Sequence, residues 1–162
     1  MRRIILLLSL AGLLFTACNK DDSKPGTPAT LEANIDGEVI EFNNPRVILK
    51  TRDGIPQPSQ IVGEIIDNET VVKNLTITFG GDLSSAIQNN DLIVLVATYY
   101  EDDYSESWGH ISGPDVLDLI ITQYTNQRIT GSCSDFQGVN GVDTLDVTEI
   151  SFTNIPIRRI DL

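Results

Sequence analysis

Beyond residue 29 the apolar residues of this chain return at every second position, and no stretch sustains a helical repeat over ten residues or more. That period belongs to strands with one face in a core and one in water. Leu31, Ala33 and Ile35 alternate with Glu32 and Asn34, and Asp36-Gly37 then separates that run from Glu38–Phe42. Asp-Gly between two short apolar runs predicts a two-residue hairpin turn, because both central residues need positive φ. Further strands are predicted over Arg46–Thr51, Gln60–Ile66 and Val71–Phe79, with Asp67-Asn68-Glu69 turning the fourth into the fifth. In the fifth, Leu75, Ile77 and Phe79 share the core face while Asn74, Thr76 and Thr78 share the solvent face. Leu92–Tyr100 is nearly unbroken apolar and predicts the most buried strand. A loop is expected over Glu101–Pro114. Strands follow over Val116–Tyr124, Arg128–Phe136 and Thr144–Phe152, with a Gly-rich loop at 138–141. About nine short strands joined by turn signals predict an all-β domain, an antiparallel β-sandwich or flattened β-barrel.

The start of the chain obeys different rules. Arg2 and Arg3 precede Ile4–Phe15, an apolar run of 12 residues interrupted only by Ser9 and Gly12. A helix of that length spans about 18 Å at ~1.5 Å per residue, short of a ~30 Å hydrocarbon core. The run therefore reads as a secretory signal and not a spanning helix. Leu14-Phe15-Thr16-Ala17-Cys18 resembles the bacterial lipobox. The resemblance implies cleavage after residue 17 and acyl chains on the thiol and amine of Cys18, which would anchor the protein to a membrane. The organisation expected is a signal over 1–17, a lipidated Cys and flexible tether over 18–29, and one β-domain over 30–162. The tether is polar and carries Pro25, Gly26 and Pro28. Lys20-Asp21-Asp22 within it resembles the export signal of surface lipoproteins of Bacteroidota (Bacteroidetes), which implies a domain on the outer membrane facing the cell exterior. Plain solubilising charge is the alternative reading of the same three residues.

Charge narrows the partners. The chain carries 11 Lys plus Arg against 23 Asp plus Glu, a net charge of -12, the wrong sign for a phosphate-binding nucleic-acid protein. Removing Arg2 and Arg3 with the signal leaves 9 basic groups and a net charge of -14, so the mature protein is expected to repel anionic lipid surfaces as a whole. One His and two Cys exclude His-rich metal sites, zinc ribbons and disulfide scaffolds. With Cys18 acylated, Cys133 has no partner and reads as a small buried hydrophobe.

Three groups of residues match an ordered pattern: Leu31-Glu32-Ala33-Asn34-Ile35-Asp36-Gly37-Glu38; then Ile120–Tyr124 followed by Arg128–Ser132; then Leu145–Thr148 leading to Ser151–Ile157. Together with the lipobox they resemble a family of small uncharacterised β-domain lipoproteins of Bacteroidota, over most of residues 30–157. The resemblance implies fold and address and brings no catalytic residues. Two positions depart from it. Cys133 stands where the pattern has Phe. Ile150 stands where it has Gly, which removes the residue that a positive-φ bulge there would favour.

Candidate chemistry concentrates in one loop. Glu101, Asp102, Asp103 and Glu106 form the densest acidic cluster, a weak candidate for a hard cation, although their contiguous spacing lacks the alternation and Gly of a calcium loop. A solvated charged loop is the plainer reading. Tyr100, Tyr104 and Trp108 make the same loop a candidate recognition tip for a glycan or protein partner. Core packing of Trp108 is the competing reading. His110 is the single imidazole and no Gly-x-Ser-x-Gly elbow is present, so a hydrolase is the weakest alternative. Asp143-Thr144-Leu145 resembles a short O-glycan acceptor signal. The expected role is a non-enzymatic binding or accessory module without metal or cofactor beyond the lipid on Cys18. A structural component of an outer-membrane complex is the alternative.

Overall fold

The computed structural model of the chain describes residues 27–83, 92–101, 106–111 and 117–162. They form eleven strands: β1 (Thr30–Ile35), β2 (Glu38–Phe42), β3 (Arg46–Arg52), β4 (Ile55–Asp67), β5 (Thr70–Gly80), β6 (Ile93–Glu101), β7 (Glu106–Ile111), β8 (Leu119–Tyr124), β9 (Arg128–Cys133), β10 (Phe136–Asn140) and β11 (Asp143–Asp161). The domain is all-β. Its sheet is mixed and not purely antiparallel as expected, because β11 runs parallel to β3, with Ile157 opposite Val47 and Asp161 opposite Thr51.

Turn chemistry sets the hairpins. Asp36 and Gly37 both adopt positive φ, 48° and 90°, and close β1 on β2 as the Asp-Gly signal requires. Asp53 and Gly54 repeat the device at 52° and 76° and start β4 at Ile55, upstream of the expected Gln60. Pro56 and Pro58 masked that start in the sequence. Both are tolerated because β4 pairs with β5 only from Ser59 onward, so residues 55–58 have a free edge that needs no donor.

Two strands lie where loops were expected. β7 falls inside the expected 101–114 loop and pairs along β6, with Tyr99 opposite Trp108 and Glu101 opposite Glu106. β10 occupies the expected Gly-rich loop. A Cβ at Gly138 would sit 2.7 Å from Trp108 Cβ, so that glycine marks the close approach of β10 to the backbone and Cβ of Trp108. The expected strand over 128–136 consequently divides into β9 and β10. Nor is β6 shielded on both faces: Ile93 is 54% exposed, and Leu95 stands outward at a register shift between β5 and β6.

The hydrogen-bonded path runs β10-β7-β6-β5-β4-β3-β11-β1-β2, and an additional β10–β11 pairing closes its first part into a ring. β11 makes this possible by serving β10 and then β9 along one edge, β1 and then β3 along the other. Two bulges bend it. Glu149 and Ile150 oppose Ala33 alone, and Thr153 and Asn154 oppose Thr130 alone. The positive φ of the first bulge falls on Glu149, at 53°, and not on Ile150, which is free to pack its side chain in the core at 1% exposure. Inside the ring and under β1 and β9 lie Leu31, Phe42, Ile61, Leu75, Ile77, Phe79, Phe152 and Ile155, all buried. Cys133 joins this core where the resembling pattern has Phe.

Candidate functional site

The strands β6 and β7 sort the candidate aromatic residues onto two faces. Tyr99 and Trp108 point into the core, with ring centroids 6.1 Å apart and planes tilted by 30°. Trp108 is 9% exposed, the core reading of that residue, whereas Tyr100 is on the opposite face of β6. Tyr104, Asp102 and Asp103 lie outside the described residues, as do Cys18, Lys20, Asp21 and Asp22.

Glu101 and Glu106 close the β6–β7 hairpin as a directly opposed pair. The Glu101 carboxylate is engaged: it accepts the Tyr99 hydroxyl at 2.5 Å and lies 3.2 Å from Lys73 Nζ. Partial burial pushes its pKa up, but the Tyr99 hydrogen bond and then Lys73 outweigh burial and hold it below the ordinary carboxylate value. No group of three or more metal-ligating side chains gathers among the described residues.

The groups that a hydrolase would need do not come together among the described residues. Ser107 and His110 fall on opposite faces of β7 by alternation. The His110 ring is 6.0 Å from the Phe136 ring, and its buried Nε2 has no hydrogen-bond partner among the described residues. Cys133 is buried and its thiol is pushed up to about 12 by desolvation, which leaves it protonated and inert at neutral pH. Thr144 is exposed on the β10–β11 hairpin.

The outer face of β3, β4, β5 and β6 is where polar groups converge. It carries a shallow, open groove of about 460 Å³ lined by Arg46, Ile48, Gln60, Val62, Glu64, Asn74, Thr76, Thr78, Val96, Thr98 and Tyr100. The alternation in β5 assigned Asn74, Thr76 and Thr78 to solvent, yet Asn74 is only 5% exposed and Val62 on the neighbouring strand 6%. Thr76 donates its hydroxyl to Asn74 Oδ1 at 2.8 Å, which fixes the amide in the groove wall. At one end the Arg46 guanidinium grips Glu64 with two bonds, Nη1 to Oε2 at 2.6 Å and Nη2 to Oε1 at 2.8 Å. That grip, foremost the hydrogen bond from Arg46, holds the Glu64 pKa below its ordinary value against the opposing effect of burial. The groove thus offers an apolar lining of Ile48, Val62 and Val96, a phenol, the amides of Gln60 and Asn74, three threonine hydroxyls and an internally neutralised ion pair. This chemistry suits hydrogen bonding to a neutral polar ligand better than capture of a net charge. Sequence reasoning missed it because its residues come from four strands, and alternation alone treats an outward threonine as solvated. Of the candidates named from the sequence only Tyr100 belongs to it.

No family model matches the chain, and no curated protein or solved structure matches it either.

Proposed function

We propose that the protein is an outer-membrane lipoprotein, acylated on Cys18 and facing the cell exterior, whose β-domain works as a non-enzymatic binding module with the β3–β6 groove as its ligand site. The signal-like start, the lipobox-like Leu14–Cys18 and the Lys20-Asp21-Asp22 run support the address. The observation that carries the binding reading is the shielding of Asn74 on the outer face of a sheet, in a groove with Tyr100 and the Arg46–Glu64 pair. A ligand with several hydroxyl or amide groups and one apolar face, such as a glycan or an extended peptide, fits that lining. The hydrolase alternative needs a carboxylate with a raised pKa in a cleft. The groove's carboxylate, Glu64, is shifted the other way, downward.

The test is a thermal-shift screen of the full chain in detergent against glycans and peptides. A hit whose stabilisation disappears in Tyr100→Ala and Asn74→Ala supports the groove. A hit that stabilises both variants as much as the parent overturns it. For the address, Cys18→Ala should move the protein from the detergent phase to the aqueous phase, and unchanged partition overturns the anchor.

A further inference from the structure

The net negative charge of the chain is not spread evenly, and the point where the tether meets the domain is where it reverses. Asn154 Nδ2 donates to the Thr27 carbonyl at 2.7 Å, so the entering chain is fixed to the second bulge of β11. The carbonyl of the same Asn154 accepts Arg128 Nη1 at 2.8 Å. Ile157 N donates to the Gln127 carbonyl at 2.7 Å, Arg159 Nη1 to the Asn126 carbonyl, and Leu162 N to the Thr51 carbonyl at 2.8 Å. These bonds gather Arg52, Arg128, Arg158 and Arg159 at one end of the domain, around the β3–β4 turn, the β8–β9 turn and the close of β11. Among the described residues the ion pairs are Arg46–Glu64 and Lys73–Glu101, so none of these four arginines faces a carboxylate partner. Asp53 and Asp161 are the acidic side chains of this end, and Asp161 is engaged by the Thr51 hydroxyl.

Strand direction places the acids elsewhere. β1 runs antiparallel to β11 and β3 parallel to it, so the β1–β2, β4–β5, β6–β7 and β10–β11 turns all lie toward the start of β11. Those turns carry Asp36, Asp67, Glu69, Glu101, Glu106 and Asp143, with Lys73 the basic residue among them.

We infer that the arginine end is a docking face for the phosphate groups of an anionic lipid surface. This rests on the acylation of Cys18 proposed above. Residues 18–26 span at most about 30 Å at ~3.3–3.6 Å per residue, so an acylated Cys18 confines this end near the leaflet. Guanidinium groups match phosphate bidentately. Exposed charges interact with a surface over roughly one Debye length, about 10 Å at moderate ionic strength. About ten to fifteen residues of β11, roughly 30–50 Å along the strand at ~3.3 Å per residue, separate the arginines from the acidic turns, so those turns stand several Debye lengths out while the arginines touch. Ile55, 63% exposed on the β3–β4 turn, and Leu162, 57% exposed at the chain end, supply apolar side chains beside the arginines. The expected repulsion of the whole chain from anionic lipid then acts as an orienting force that keeps the acidic end, and the turns it carries, away from the membrane.

The experiment uses the full lipidated chain with Ile55→Cys carrying an environment-sensitive fluorophore, since the remaining thiol, Cys133, is buried. It is reconstituted into phosphatidylcholine vesicles with and without phosphatidylglycerol. The emission should shift to the blue only with phosphatidylglycerol. The shift should collapse at about 1 M salt, where the Debye length is ~3 Å. Arg52→Gln with Arg158→Gln should remove at least half of the shift, while Glu106→Gln at the far end leaves it whole. Neither arginine side chain makes a hydrogen bond or ion pair with another described residue, and unchanged thermal unfolding of the double variant confirms that its fold is intact. The mass of the N-terminal peptide reads the acylation separately. An acylated chain whose label reports the same environment on both lipids overturns the docking face and leaves the anchor standing. If the N-terminal peptide is unacylated, Cys18→Ser leaves Ile55→Cys as the labelled site, and a label that still shifts on phosphatidylglycerol overturns the anchor and keeps the docking face.

Discussion

Strand β5 shields side chains on both of its faces, but by different means. Leu75, Ile77 and Phe79 are fully buried in the core cluster. On the other face Thr76 and Thr78 are half-buried, and Asn74 is 5% exposed. The core face excludes water by volume, with apolar side chains filling space between sheet segments. The groove face stays open to solvent, with Thr76, Thr78 and Thr98 half-buried, and it keeps polar groups satisfied through local pairs such as Thr76–Asn74 and Arg46–Glu64. A face of the first kind resists change, whereas one of the second kind keeps room for an incoming molecule.

The largest effect should come from opening the core face. Phe79→Ala removes a fully buried ring and should lower unfolding stability by about 3–5 kcal/mol in urea melts. The contrast between the faces breaks if the loss is no larger than that of a groove substitution. Tyr99→Phe tests the join between core and rim, because Tyr99 is fully buried yet reaches Glu101. Hydrogen bonds to charged groups are worth about 1.5–3 kcal/mol, and the partial exposure of Glu101 puts this one at the lower end. With the Glu101 pKa depressed in the fold, that contribution is complete above the ordinary carboxylate range and is lost as pH falls through the folded value. Melts of parent and variant should therefore converge in acid. Asn74→Ala should cost about 1 kcal/mol for the lost Thr76 bond and should act mainly on ligand binding.

How far the sequence revealed each region follows from the range of the interaction that creates it. Alternation and turn residues are local, and β1, β2, β3, β5 and the turns at Asp36-Gly37 and Asp67–Glu69 were legible from them. β7 was not, because Ser105, Glu106, Ser107 and Gly109 dilute the apolar signal, although Trp108 and His110 keep strand spacing. β10 was hidden by Gly138, read as loop when it is small to admit Trp108. The parallel pairing of β3 with β11 joins residues more than a hundred positions apart, and nothing local encodes it. The groove draws its lining from four strands that only the sheet brings together, so of its lining only Tyr100 was singled out in advance as a candidate. The clustering of arginines at the tether end was likewise invisible, since Arg52, Arg128 and Arg158 come together only through the turns and the long β11.

The smallest expected effect sharpens the comparison most. Glu64→Gln keeps the size of the side chain and one carbonyl for Arg46 but removes the charge that Arg46 grips. Side-chain exposure at the pair is 29% for Arg46 and 13% for Glu64, so solvent screens it and the loss should be about 0.5–1 kcal/mol at neutral pH. The Glu64 pKa is lowered in the fold, chiefly by the Arg46 hydrogen bond, so the stabilisation is present above the unfolded carboxylate value of 4.5 and fades as pH falls through the folded one. The melting difference between parent and variant should therefore shrink steadily toward acid. A difference that stays constant from about pH 7 to about pH 3 would mean that packing, and not the ion pair, holds this end of the groove. The two faces of the sheet would then be built on one principle after all, and the groove would lose its claim to be a site kept open by polar pairing.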